Sequence, residues 1–214
     1  AIDAIAVVAL VQHFAVNLDS FGITPFGLVG ISLSIYLGFR NNAAYDRWWE
    51  ARKLWGQLVY DIRNLARATN ALVEDRERIR PLLIDALLFC HFLRGQMRRA
   101  DVMDKARELA GAPADEFSAF ANKADAVMRC MGERIGGFRR DGVIDAIGYR
   151  ILDERLATMS AVQAGCERIA GTPLPFAYSL LLRRTAYIVC LLLPFALVSA
   201  TGWATPLFTA LIAY

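Results

Sequence analysis

The sequence predicts an all-α membrane protein. Charge is segregated along the chain: residues 1–39 carry only Asp3 and Asp19, residues 185–214 carry no charged group, and a charged stretch lies between. Apolar ends around a polar centre are the pattern of a chain whose water-exposed part sits between membrane spans. Hydrophobic residues make up 56% and charged residues 21% of the 214. Mean hydropathy is +0.35, which excludes a disordered tail. Apolar residues recur at helical spacing, with no alternating β-rich run and no internal repeat.

The elements read in order as follows. Residues 4–18 form an apolar helix after Asp3, with His13 packed among apolar neighbours. Asp19, Ser20, Gly22 and Pro25 punctuate a turn, and Pro25 suits the first turn of the next helix, where a missing N–H costs nothing. From Phe26 to about Asp75 no stop signal interrupts a long helix. It is too long for a bilayer core of about 30 Å, so it is expected to begin in the membrane and continue into water. Arg40, Arg47, Trp48, Trp49 and Trp55 mark the crossing, because basic and aromatic side chains favour the headgroup level.

Residues 77–100 form a further helix with Pro81 in its first turn. Its apolar stretch, Leu82 to Leu93, is short and carries Asp85 and His91, which fits a core helix rather than a span. A loop follows at Gly111, Ala112 and Pro113, and Asp115 is placed as the N-cap of a helix reaching Ile135. Gly136, Gly137 and Gly142 suggest a break before a helix over 143–170. Gly171, Thr172, Pro173 and Pro175 separate it from an apolar helix over 176–200 that carries Arg183 and Arg184 near its start. Thr201 and Gly202 make a turn, and 203–214 begins another span. The chain opens and stops inside apolar runs, with no basic leader of a secretory signal, so both ends are expected to be cuts within longer helices.

Motifs for chemistry are missing from the string. Cys90, Cys130, Cys166 and Cys190 show neither CxxC nor zinc spacing, and neither His13 nor His91 has a ligand partner at i+4. There is no GxSxG, GxGxxG, Walker or HExxH pattern. No enzyme activity, cofactor or metal is expected. A net charge of +3 does not call for a nucleic-acid partner.

The informative feature is a stripe. Ile31, Ile35 and Phe39 recur at i, i+4 and i+8 and share one helix face, with Gly30 and Gly38 allowing close helix approach. One reading is ordinary helix packing. The other is that symmetry-related copies stack three apolar rings around an axis, a constriction that gates by dewetting. Arg40 and Arg47 lie seven apart and share a face. They either fix helix register between chains or tune ions entering a pore.

The run Ile35 to Trp55, IYLGFRNNAAYDRWWEARKLW, resembles the bacterial branch of the bestrophin family, as does Cys166 to Tyr178, CERIAGTPLPFAY. The resemblance covers nearly the whole chain. It implies a homopentameric ion channel in the cell inner membrane, with four transmembrane helices per subunit and a helical cytosolic region. Residues 1–39 would hold the first transmembrane helix and the membrane part of the pore helix, 40–172 the cytosolic region, and 173–214 the third span and the start of the fourth. The family's neck falls on Ile31, Ile35 and Phe39, with Arg40, Arg47, Trp48 and Trp49 as interface or register residues. A second, cytosolic constriction falls in the helix around 143–151. Its candidates are Ile144, Ile147, Tyr149 and Ile151, each equally readable as cytosolic core. The resemblance implies passive conduction of monovalent cations such as sodium, with a chloride or other anion channel of the same fold as the alternative and a helical transporter behind both. The expected partners are further copies of the chain, the lipid bilayer and monovalent ions.

Overall fold

A computed structural model describes residues 2–14, 24–173 and 175–213. Among them the chain is all helical: α1 (Ile2–Phe14), α2 (Thr24–Leu72), α3 (Arg76–Arg98), α4 (Met103–Ala110), α5 (Lys123–Arg140), α6 (Ala146–Gly171), α7 (Phe176–Thr201) and α8 (Thr205–Ala213). Short 3-10 turns occupy Ala112–Phe117 and Gly202–Ala204. The side chain of His13 and the expected turn at 19–22 lie outside the described residues. The chain forms two compact units. One comprises residues 1–46 and 174–214, the other residues 47–173.

In the first unit α1, α7 and α8 pack on one another. Ala4, Val7 and Val8 of α1 are buried, with Leu182, Ala196 and Val198 of α7. The turn between α7 and α8 is held by hydroxyls. Thr201 Oγ1 donates to the Leu197 carbonyl at 2.9 Å, Thr205 Oγ1 donates to the Gly202 carbonyl at 2.6 Å, and the two hydroxyls lie 2.9 Å apart. Gly202 takes φ 51, which glycine adopts without a Cβ penalty. Among the described residues, Phe176–Val198 is the one helix long and apolar enough to cross a membrane. Among the described residues α1 has 13 residues and α8 has 9. In α2 the charges resume at Arg40.

The second unit has its core between α3, α5 and α6, closed by the C-terminal part of α2. Leu58 and Leu65 of α2 are fully buried, as are Leu82, Phe89 and Leu93 of α3, Met131 and Ile135 of α5, and Leu152 and Met159 of α6. Thus α3 is a core helix, as its mixed composition predicts.

Several boundaries differ from the sequence reading. The N-cap of α5 is Asn122, whose side chain accepts from the Asp125 N–H at 3.1 Å, and not Asp115. Asp115 lies in the Ala112–Phe117 turn, where its carboxylate accepts from Arg107 Nε at 2.8 Å. Helix α4 had no place in the sequence reading, because eight residues carry too little periodicity to register. Gly136 and Gly137 lie inside α5, which continues to Arg140. Each costs about 1 kcal/mol relative to Ala in a helix, and the packing of α5 on α3 outweighs that. The break falls at Gly142, with φ 70, and α6 starts at Ala146 behind the Asp145 N-cap. Helix α3 starts at Arg76 on the Asp75 cap, so Pro81 sits in its second turn rather than its first.

Candidate functional site

The stripe lies on the part of α2 that belongs to the first unit. Ile31, Ile35 and Phe39 are 60%, 54% and 62% exposed, although all three are large and apolar. Leu28, on the same side of the helix, and Leu37, on the opposite side, are exposed too. An apolar surface of this extent on an isolated chain marks a site for lipid or for other protein. At the foot of the stripe Phe39, Arg40, Ala43, Pro175, Tyr178 and Ser179 line a cavity of about 240 Å³.

Arg47 has an intramolecular role. Its Nη2 donates to the Ile169 carbonyl at 2.6 Å and its Nη1 donates to the Thr172 carbonyl. Both acceptors lie at the C-terminal end of α6, where carbonyls lack intrahelical partners and the helix dipole favours a cation. One turn along, Glu50 pairs with Arg168 of α6. Further on, Leu54 fits against Gly165, where an added Cβ would lie 2.9 Å from Leu54 Cδ1. Leu72 reaches Gly148 at the other end of α6. The two helices are therefore antiparallel and fastened along most of α6. Trp48 and Trp49 are exposed, with ring centroids 6.0 Å apart and planes tilted by 33°.

The four candidates for a second constriction separate by exposure. Ile144 is 5% exposed and belongs to the core of the second unit, which favours the packing reading of this position. The cause is local: the chain folds back after α5, with the Val143 and Ile144 N–H groups both donating to the Phe138 carbonyl, and this turns Ile144 inward. Ile147 is 69% exposed and Tyr149 is also exposed, while Ile151 is half-buried.

Two polar nodes escaped the sequence reading. Asp85 is buried, and Arg134 Nε donates to its Oδ2 at 2.5 Å. Burial pushes the Asp85 carboxyl up, and the Arg134 hydrogen bond and charge only partly oppose it. The second node is Glu167. Its Oε1 accepts from Gln96 at 3.1 Å, Asn122 at 2.8 Å and Gln163 at 3.0 Å. Burial would raise its carboxyl, but the three amide donors together hold it below the usual carboxylate value. The residue types signal such nodes only once α3, α5 and α6 are side by side. Burial also pushes the Cys90 thiol up to about 11 and raises Cys130 and Cys166, which keeps these thiols protonated and unreactive. Among the described residues no group of three or more His, Cys, Asp or Glu side chains is placed to hold a metal.

The family described as bacterial/fungal bestrophin protein matches residues 1–214. The chain is 64% identical over 214 residues to the voltage-dependent anion channel-forming protein of Mesorhizobium japonicum, covering all of this chain and 69% of that one. It is 40% identical over 214 residues to the voltage-dependent anion channel-forming protein YneE of Escherichia coli K12, covering 99% of this chain and 70% of that one. It is similar to the crystal structure of a bacterial bestrophin homologue from Klebsiella pneumoniae, with TM-score 0.90 and 35% identity, over all of this chain and 79% of the other.

Proposed function

The chain belongs to the bestrophin family, and on that premise we propose that copies of it assemble around an axis on which Ile31, Ile35 and Phe39 form the apolar neck of an ion-conducting pore. It is an ion-channel protein of the bestrophin fold, membrane-embedded and not an enzyme. One observation carries the neck: three large apolar residues share a face of α2 and stay exposed, on a stretch of helix that is exposed on its other sides as well. Rings four residues apart are spaced by about 6 Å, so three rings make a barrier about 12 Å long. Such walls offer nothing to replace an ion's hydration shell. Conduction then depends on ring radius and on whether water fills the neck.

Five copies, four spans per subunit and an inner-membrane location complete the reading, on the family resemblance. The membrane part comprises α1, the start of α2, α7 and α8, and residues 47–173 form the cytosolic part. Ile147, with Tyr149 and Ile151 beside it, is the candidate for a second constriction. Trp48 and Trp49, exposed on the single chain, are candidates for contact between subunits.

The permeant ion is an anion in this reading. Curated relatives of the chain are described as anion channel-forming proteins, which favours the anion alternative over the sodium expectation that the family resemblance raised. The neck rings carry no charge, so sign preference comes from charged groups outside them. Reversal potentials of the purified protein in planar bilayers under a salt gradient test this. Discrete currents reversing near the chloride potential are expected. Reversal near the cation potential would restore the cation reading, and saturable uptake without discrete currents would replace the channel by a transporter.

A further inference from the structure

The second unit holds a cavity of about 470 Å³, where the end of α3 meets the first residues of α4 and α5. That volume lies in the range of small-molecule sites. Its floor is Phe92, which is buried and packs edge-on against Phe117 with ring centroids 6.0 Å apart. Its wall carries two cations, Arg99 and Lys123. Among the described residues Arg99 has no ion pair and no side-chain hydrogen bond, and the Lys123 amine reaches only the Phe120 carbonyl, at 3.4 Å. The acid on the same wall, Asp101, is engaged: its Oδ1 accepts from the Met103 N–H at 2.9 Å. The lining carries two cations against one carboxylate and so is net positive.

The placing of Arg99 is unusual. It ends α3 with φ 51, and its N–H donates to the Gln96 carbonyl at 3.3 Å while the Ala100 N–H donates to the Gly95 carbonyl at 3.0 Å. This is the left-handed helix stop that glycine fills without strain. Here an arginine occupies it, and that arginine is one of the residues lining the cavity. We propose that this cavity binds a small phosphate-bearing anion between Arg99 and Lys123. A guanidinium fork and a neighbouring ammonium match an anion that offers several oxygens to separate donors.

Calorimetric titration of the detergent-purified protein with inorganic phosphate, at ionic strength held constant with chloride, tests the site independently of ion conduction. Saturable binding is expected, and Arg99→Gly and Lys123→Gln should each weaken it about tenfold, the loss of one charge-assisted contact. Arg99→Gly should also melt no lower than the parent protein without phosphate, so that weaker binding reads as a lost contact rather than as unfolding. Absence of saturable heat in the parent protein would overturn the proposal. So would binding that persists unchanged in Lys123→Gln, a variant that leaves the backbone untouched.

Discussion

Arg47 Nη2 donates to the carbonyl of Ile169 at 2.6 Å, joining residues 122 apart in sequence. With the second donation to Thr172 this fork closes the open end of α6. Arg47→Ala leaves two carbonyls without their partner and should cost about 1–3 kcal/mol, because hydrogen bonds to charged groups sit at the upper end of the usual range. Arg47→Lys should recover only part, since one ammonium does not span both acceptors. Thermal unfolding in detergent measures the loss, and an unchanged midpoint in Arg47→Ala would remove the fork from the account.

The neck assignment predicts a specific change in current. Replacing Ile31, Ile35 and Phe39 together by Ala shortens all three rings and should wet the constriction. Single-channel conductance should rise and the closed state become less stable, with the reversal potential unchanged because no charge is added or removed. Conductance equal to that of the parent protein would place the narrow point elsewhere.

Removing Arg134 strands a buried carboxylate. Asp85 keeps 6% of its side-chain surface exposed while Arg134 keeps 38%, so the pair is buried on one side only. Arg134→Leu should therefore cost about 2–3 kcal/mol, somewhat less than breaking a fully buried pair. Chemical denaturation gives the number, and Asp85→Asn in the same background should restore part of it by removing the stranded charge.

Glu167 gives the protein an acid-sensitive element. Its carboxyl binds a proton less tightly in the folded protein than in the unfolded chain, because three amide donors favour the charged form. Unfolding in acid then takes up a proton, and the contribution is complete above pH 4.5, the ordinary value. It fades as the pH falls below that, through the lowered folded value. Glu167→Gln should melt below the parent protein at neutral pH, and the gap should close in acid. A gap of constant size across the acid range would show that charge plays no part.

Two glycines of similar appearance should behave differently. A Cβ on Gly95 would lie 2.7 Å from Val102 Cγ2 and 3.0 Å from the Ala100 carbonyl oxygen, which is backbone and cannot swing away. Gly95→Ala should cost about 1–3 kcal/mol. At Gly165 the close atoms are the ends of one leucine side chain, Leu54. Gly165→Ala should cost less than about 1 kcal/mol, as the side chain shifts and the helix gains propensity. Paired denaturation curves decide it, and equal losses would contradict the packing described.

The helical class, the order of most elements and the family are legible in the amino-acid string alone. These rest on local properties: the 3.6-residue period, stops at Gly111, Gly142, Gly171 and Pro173, and the unbroken string from Ile35 to Trp55. The string also locates the stripe on α2, since residues four apart on one helix share a face whatever surrounds them. What depends on neighbours distant in sequence emerges with packing. Asn122 rather than Asp115 caps α5 because residues 112–117 form a separate 3-10 turn and the helix starts at Lys123. Gly136 and Gly137 remain helical because α5 is packed against α3. Ile144 is core because the turn after Phe138 faces it inward. Arg47 holds the end of α6 because α6 returns antiparallel along α2 and brings its bare carbonyls within reach. Periodicity fixes which residues share a face, and only packing fixes what that face meets.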